Sequence, residues 1–174
     1  MYTFRKKHPI TPGFTLIEIL VVIGMLGILA SAVLVAVNPL KQFAQARNAK
    51  RVSDVNAILN AISDRIADNG GVYDNSAVTG TNCGPDILQI PHTMTMSNTG
   101  ETDNVDVRPC LVPNYIPEMP VDPSAGSNSC KNDSCAPGTY KTGYTVSVTD
   151  SHRITVCAPQ SKVDGMADPY CLTR

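Results

Sequence analysis

Tryptophan is absent and phenylalanine occurs only three times, so no aromatic cluster is available to anchor a core or to stack nucleobases. An interior in this chain rests on Val, Ile, Leu and Ala. An excess of one charge is also missing. Fourteen Lys and Arg face fifteen Asp and Glu, a formal net charge of −1, which gives no basis for an electrostatic grip on nucleic acid or on acidic substrates. No acidic residue precedes Glu18, and no charge of either sign occurs from Ile19 to Val37. The helical part of the chain, up to residue 70, has no cysteine. All six, Cys83, Cys110, Cys130, Cys135, Cys157 and Cys171, lie from residue 83 onward.

The uncharged run is long enough to cross a hydrocarbon core of about 30 Å as a helix. Arg5, Lys6 and Lys7 precede it, so the positive-inside rule leaves the N-terminus in the cytoplasm and sends the remainder outside. Without those three cations the chain carries 11 basic and 15 acidic residues, a net −4. Beyond the run, Asn38-Pro39 predicts a kink or local melting, because proline lacks a donor and clashes with the preceding turn. Helical periodicity then resumes. Val52, Val55, Leu59, Ile62 and Ile66 form one apolar stripe, and Lys50, Arg51, Asp54, Asn60, Asp64 and Asp68 are assigned to the opposite, solvated face. Asn69-Gly70-Gly71 marks the stop, where glycine can adopt the left-handed conformation. One helix from about Phe14 to Asp68, roughly 80 Å long, is expected.

From residue 71 Gly, Pro, Asn, Ser and Thr dominate. Short apolar pieces interrupt them at Ile87–Ile90 and Cys110–Val112. Two runs alternate with period two, Tyr144–Val148 and Arg153–Cys157, and Thr149–His152 between them reads as a hairpin turn. The expected class is α+β, a small antiparallel sheet packed on the amphipathic half of the helix. The expected divisions are residues 1–13, 14–37, 38–70 and 71–174. An even number of cysteines in a loop-rich region after a membrane segment reads as a disulfide framework in an oxidising compartment. The rival reading is a zinc site built from Cys130 and Cys135 with His92 or His152. Asp150-Ser151-His152 holds the residue types of a hydrolytic triad, but three consecutive turn residues cannot form one, and no nucleophile motif surrounds them. Asn132-Asp133-Ser134 fits a glycosylation sequon.

Residues 13–18 read Gly-Phe-Thr-Leu-Ile-Glu, after a short basic leader and before an unbroken apolar run. This arrangement resembles the cleavage and methylation motif of type IV prepilins and of the related pseudopilins of type II secretion systems. The resemblance is strong over about residues 1–68. Further on, Tyr115–Pro123, with its Pro120-Val121-Asp122-Pro123 element, and Gly143-Tyr144-Thr145-Val146 resemble pieces of the pilin head. The segment between helix and sheet resembles nothing nameable.

The resemblance implies a type IV pilin fold and a filament subunit that is a substrate and not an enzyme. It also implies that a membrane aspartyl prepilin peptidase cuts after Gly13 and N-methylates Phe14, and that a platform protein and a hexameric ATPase then draw the subunit from the membrane into a helical filament. Glu18, the fifth residue after the cut, would pair with the Phe14 amine of a neighbouring subunit. Without that pairing, a carboxylate in a membrane helix costs about 2.5–3.5 kcal/mol. The plainer reading of Glu18 is a solvated flank at the headgroups. Gly24, Gly27, Ala30, Ser31 and Ala32 supply the small surfaces that packed membrane helices use. The leading function is a pilus subunit serving adhesion, motility or DNA uptake, and the alternative is a pseudopilin. No cofactor or metal is expected, and no basic and aromatic stripe argues for DNA as a partner of the surface. By sequence proximity, the expected bridges are Cys83–Cys110, Cys130–Cys135 and Cys157–Cys171, the last clasping the C-terminus to a strand as in many pilins.

If all six cysteines are bridged, the intact mass of the non-reduced exported form lies six hydrogens below that of the reduced chain. Free thiols or bound zinc would overturn this. Replacing Cys157 or Cys171 is expected to lower the unfolding midpoint more than replacing Cys130 or Cys135, because the former pair tethers a chain end to the sheet.

Overall fold

A computed structural model describes residues 13–36, 38–74, 86–90, 92–130 and 135–174, and the chain falls into two units divided between Lys41 and Gln42. The basic leader, Cys83 and the Asn132 sequon lie outside the described residues.

The first unit holds helix α1 (Leu16–Ala36), whose described side chains are exposed throughout. The single helix expected from Phe14 to Asp68 is in fact two, because Asn38 is not helical and α2 (Pro39–Asp68) starts afresh behind it. The residue before a proline is disfavoured in the α region. Asn38 turns that restriction into a cap, its side-chain oxygen accepting the Lys41 N–H at 3.2 Å. Pro39 takes the first helical position, where its missing donor costs nothing. At the other end the Gly71 N–H reaches back to the Ile66 carbonyl at 2.8 Å, with Gly70 at φ 68°, the left-handed stop that Asn69-Gly70-Gly71 predicts.

In the second unit the buried face of α2 comprises Arg51, Asp54, Val55, Ile58, Leu59, Ala61, Ile62 and Arg65. Arg51 and Asp54 therefore sit inward, which corrects their expected place on the solvated face. Lys50, Asn60, Asp64 and Asp68 are exposed as expected, and Val52 and Ile66 are half-buried.

The sheet runs β2–β1–β4–β5–β6, with β3 paired to β4 beside that path. Its strands are β1 (Met94–Ser97), β2 (Asn104–Val105), β3 (Ser127–Asn128), β4 (Tyr140–Val148), β5 (Ile154–Ala158) and β6 (Tyr170–Thr173). The two alternating runs form β4 and β5, antiparallel with Val148 opposite Ile154. Their turn is closed by the Thr149 N–H on the Arg153 carbonyl at 2.9 Å. The sheet is mixed, however, and not purely antiparallel, because β1 and β2 run parallel. Parallel strands ordinarily need a long crossover. Here β2 is two residues long and only Thr95–Asn104 and Met96–Val105 are paired, so a tight reversal with Gly100 at φ 76° suffices.

The Ile87 and Leu111 pieces become a 3-10 turn (Ile87–Gln89) and a short helix, α3 (Arg108–Leu111). Both residues join a core that includes Val55, Ile58, Ile62, Tyr144, Val146 and Val156. Asp54 accepts the Tyr144 hydroxyl at 2.8 Å, which ties α2 to β4.

Arg51 is fully buried and spends five hydrogen bonds on four partners, the full donor count of a guanidinium. Its Nε donates to Asp122 at 2.6 Å and its terminal nitrogens to Asp122, Asp164, Asn48 and Ser124. Asp164 also pairs with Arg47. Asp122 accepts the Ser124 and Ala125 N–H groups at 2.8 and 2.9 Å. The two head segments singled out in the sequence meet here. Gly143 stands at φ 78°, and a Cβ on it would lie 2.8 Å from that of Asp122. A Cβ on Gly126 would lie 2.6 Å from the Asp122 nitrogen.

Burial opposes ionisation of Asp122, but the Arg51 guanidinium and the hydrogen bonds from Ser124 and Ala125 outweigh it and hold its carboxyl below the ordinary range. Hydrogen bonds from Arg47 and then Arg51 hold Asp164 well below it too. Both groups thus release protons more readily folded than unfolded. Their stabilisation is complete above about pH 5 and drains away as the pH falls below the usual aspartate value near 3.9. Urea midpoints of the full chain are therefore expected to fall steadily from pH 5 to pH 2.5, and Asp122→Asn is expected to flatten that slope while lowering stability at pH 7. A pH-independent midpoint would overturn the assignment.

Candidate processing and assembly site

Gly13 and Phe14 precede the helix in non-helical chain, and α1 opens at Leu16. The residue that stops it is Thr15. Its carbonyl accepts the Glu18 and Ile19 N–H groups at 3.1 and 3.3 Å, and its hydroxyl accepts the Glu18 N–H at 3.3 Å. These bonds make Thr15 the N-cap and place Glu18 third in the helix. A carboxylate there lies in the positive end of the helix dipole. The order Thr-x-x-Glu is the sequence pattern of a capping box, the local signal that marks Thr15 beside Glu18.

Phe14 is 80% exposed. A Cβ added to Gly13 would meet nothing within 4 Å among the described residues. Nothing in the fold of the described residues requires glycine at this position. The same holds for Gly24 and Gly27, which also face open space. A helix this apolar on every side does not remain in water, where each exposed Leu, Ile or Val forgoes about 1.5–3 kcal/mol.

The prokaryotic N-terminal methylation motif matches residues 12–34. The chain has the prepilin-type N-terminus of type IV pilins and pseudopilins. No curated protein and no solved structure matches it. A long apolar N-terminal helix followed by a small mixed sheet is an α+β arrangement consistent with the pilin fold. The prepilin-type motif and the span Leu16–Leu34 together support a membrane-anchored precursor. The class is one of structural filament subunits, processed by a peptidase and assembled into filaments.

Within the prepilin-type segment Gly13, Phe14 and Glu18 lie within two turns of chain, all exposed. The cysteines belong to the other unit. Cys130 bridges Cys135, and Cys157 bridges Cys171. The latter two sit opposite each other in the β5–β6 register. Cys110 is also in disulfide form, and Cys83, its expected partner, lies outside the described residues. Bridging of Cys130 with Cys135 leaves neither thiolate free for the zinc site weighed above. Ser151 and His152 occupy the β4–β5 turn, where the Ser151 hydroxyl meets that of Thr149 at 2.9 Å.

Proposed function

We propose that the chain is the structural subunit of a type IV pilus. In this reading the precursor is held in the cytoplasmic membrane with its N-terminus inside. Prepilin peptidase cuts it after Gly13 and N-methylates Phe14, and the platform protein and assembly ATPase then build it into an extracellular helical filament through residues 14–37. Residues 38–70 and 71–174 form the exported body.

One observation carries the proposal. A glycine that the fold of the described residues does not need stands next to an exposed apolar helix with a carboxylate in its first turn. A simple anchor accounts for the apolar residues but gains nothing from Glu18, which costs about 2.5–3.5 kcal/mol in lipid. A filament accounts for both. The glycine admits the peptidase, the cut frees an amine, and Glu18 of one subunit pairs with the Phe14 amine of the next in a low-dielectric core. The pair also sets the register, since a subunit out of step leaves a charge alone. The pilus is preferred to a pseudopilin filament on the number of disulfides and the long segment between helix and sheet.

The subunit recovered from sheared surface filaments is expected to begin at Phe14 and to carry one extra methyl by intact mass. Residues 1–13 retained in filaments would refute the processing, and absence of the chain from surface filaments would favour the pseudopilin. Glu18→Ala strands a neighbour's amine, and truncating one partner of such a pair typically costs about 3–5 kcal/mol. The variant is expected to reach the membrane and be cut, yet to give no filaments by electron microscopy. Normal filament numbers would reduce Glu18 to a headgroup-level flank.

A further inference from the structure

We propose that Thr15 is a positioning residue for cleavage of the Gly13–Phe14 bond, an inference that rests on the maturation reading above. Cleavage is a hydrolysis. Water gives its hydroxyl to the Gly13 carbonyl carbon and a proton to the Phe14 nitrogen, so the leaving group is the Phe14 amine. A peptidase holds such a bond in extended chain, pairing with the main-chain N–H and C=O groups on either side as an added strand would. A helix consumes both sets of groups. The apolar run begins only two residues beyond the bond. In lipid it favours extension of the helix backward, because each unpaired N–H there is costly. Something therefore has to stop the helix short of Phe14.

The sequence offers two stops. Thr15 with Glu18 three residues on is one. Thr11 followed by Pro12 is the other, a good cap residue ahead of a proline suited to the first helical position. A helix started at Thr11 would carry Phe14 third in its first turn and hold the scissile bond inside it. The geometry selects Thr15. Its hydroxyl and carbonyl both accept the Glu18 N–H, the helix opens at Leu16, and Gly13 and Phe14 stay non-helical. Gly13 helps from the other side, since glycine is a poor residue inside a helix. Thr15 thus keeps the bond presentable without touching the peptidase's chemistry.

The test uses the full-length chain in membranes that contain a prepilin peptidase, with the cut fraction followed over time by intact mass. Thr15→Val, which keeps the shape and removes the acceptor, is expected to be cut about five-fold more slowly, the shift in helix start that one lost cap produces. Thr15→Ser restores the hydroxyl and is expected to be cut at the wild-type rate. In the uncut precursor in micelles, the Phe14 amide is expected to exchange with solvent more slowly in Thr15→Val than in wild type. If wild type is cut and Thr15→Val is cut equally fast, or if Thr15→Ser is as slow as Thr15→Val, the inference is overturned by itself. A wild-type chain left uncut overturns the maturation reading and this inference with it.

Discussion

A guanidinium taken wholly out of water loses several kcal/mol of hydration, and it stays in place only if its donors and charge are met where it lies. Arg51 meets that condition by drawing two loops to one point on α2. Asp122 comes from the segment ahead of β3 and Asp164 from the segment between β5 and β6. Asn48, one turn before Arg51, adds a third hold by accepting from Arg51 and donating to the Asp164 carbonyl. Hydrophobic contact alone would let a helix bearing Val55, Ile58 and Ile62 slide or roll on the sheet, since such contacts are non-directional. The fork geometry of Arg51 admits one register. Asp54 on Tyr144, and Arg65 on the Tyr73 carbonyl at 2.9 Å, repeat the same device further along the helix.

The close fit around Asp122 follows from this. Because that carboxylate must reach α2, its backbone turns tightly against β4, and Gly126 and Gly143 leave room where side chains would collide. Residues that read in the sequence as family likeness, Pro120–Pro123 and Gly143–Val146, are physically the two sides of one contact. Closing the pairing from outside, β6 lies at the sheet edge with Cys171 bridged to Cys157. That bridge and the Asp164 contacts bound the same stretch of chain, so the C-terminal segment is fixed at two points.

The N-terminal elements were legible because their signals are local and uncompensated. A charge-free run, Asn38-Pro39 and Asn69-Gly70-Gly71 each act on their own few residues, and the β4–β5 hairpin declares itself by alternation. The buried charges were not legible. Arg51, Val55, Ile58, Ile62 and Arg65 recur at helical spacing, yet a periodicity counted only over apolar types passes over both arginines. Whether a charge on a helix faces water depends on a carboxylate that can arrive from far along the chain, and for Arg51 the partners lie 71 and 113 residues away. Strands β1 to β3 were missed for a related reason. At two to four residues they carry little alternation, and they are placed by pairing, β1 and β3 on β4 and β2 on β1. At the candidate site Glu18 stands out in the sequence as a charge ahead of an apolar run, whereas Thr15 is neutral and its cap is visible only once the helix start is located.

Under the proposed function, the position of Glu18 also orders events. The helix dipole offers a carboxylate in the first turn about 0.3–1 kcal/mol. That falls short of the roughly 2.5–3.5 kcal/mol that lipid exacts, so the balance has to come from a cation. Before the cut the Phe14 nitrogen is an amide, neutral and already bonded to Gly13. After it, the same atom is an amine with a positive charge, placed at the end of the helix where a neighbour's carboxylate can reach. Arg5, Lys6 and Lys7 cannot substitute, since leader cations belong to the cytoplasmic face. The hydrolysis that removes the leader is therefore the step that creates Glu18's partner. An uncut chain would enter a filament with its carboxylate unpaired, and the electrostatic cost of that state separates precursor from subunit without any further recognition event.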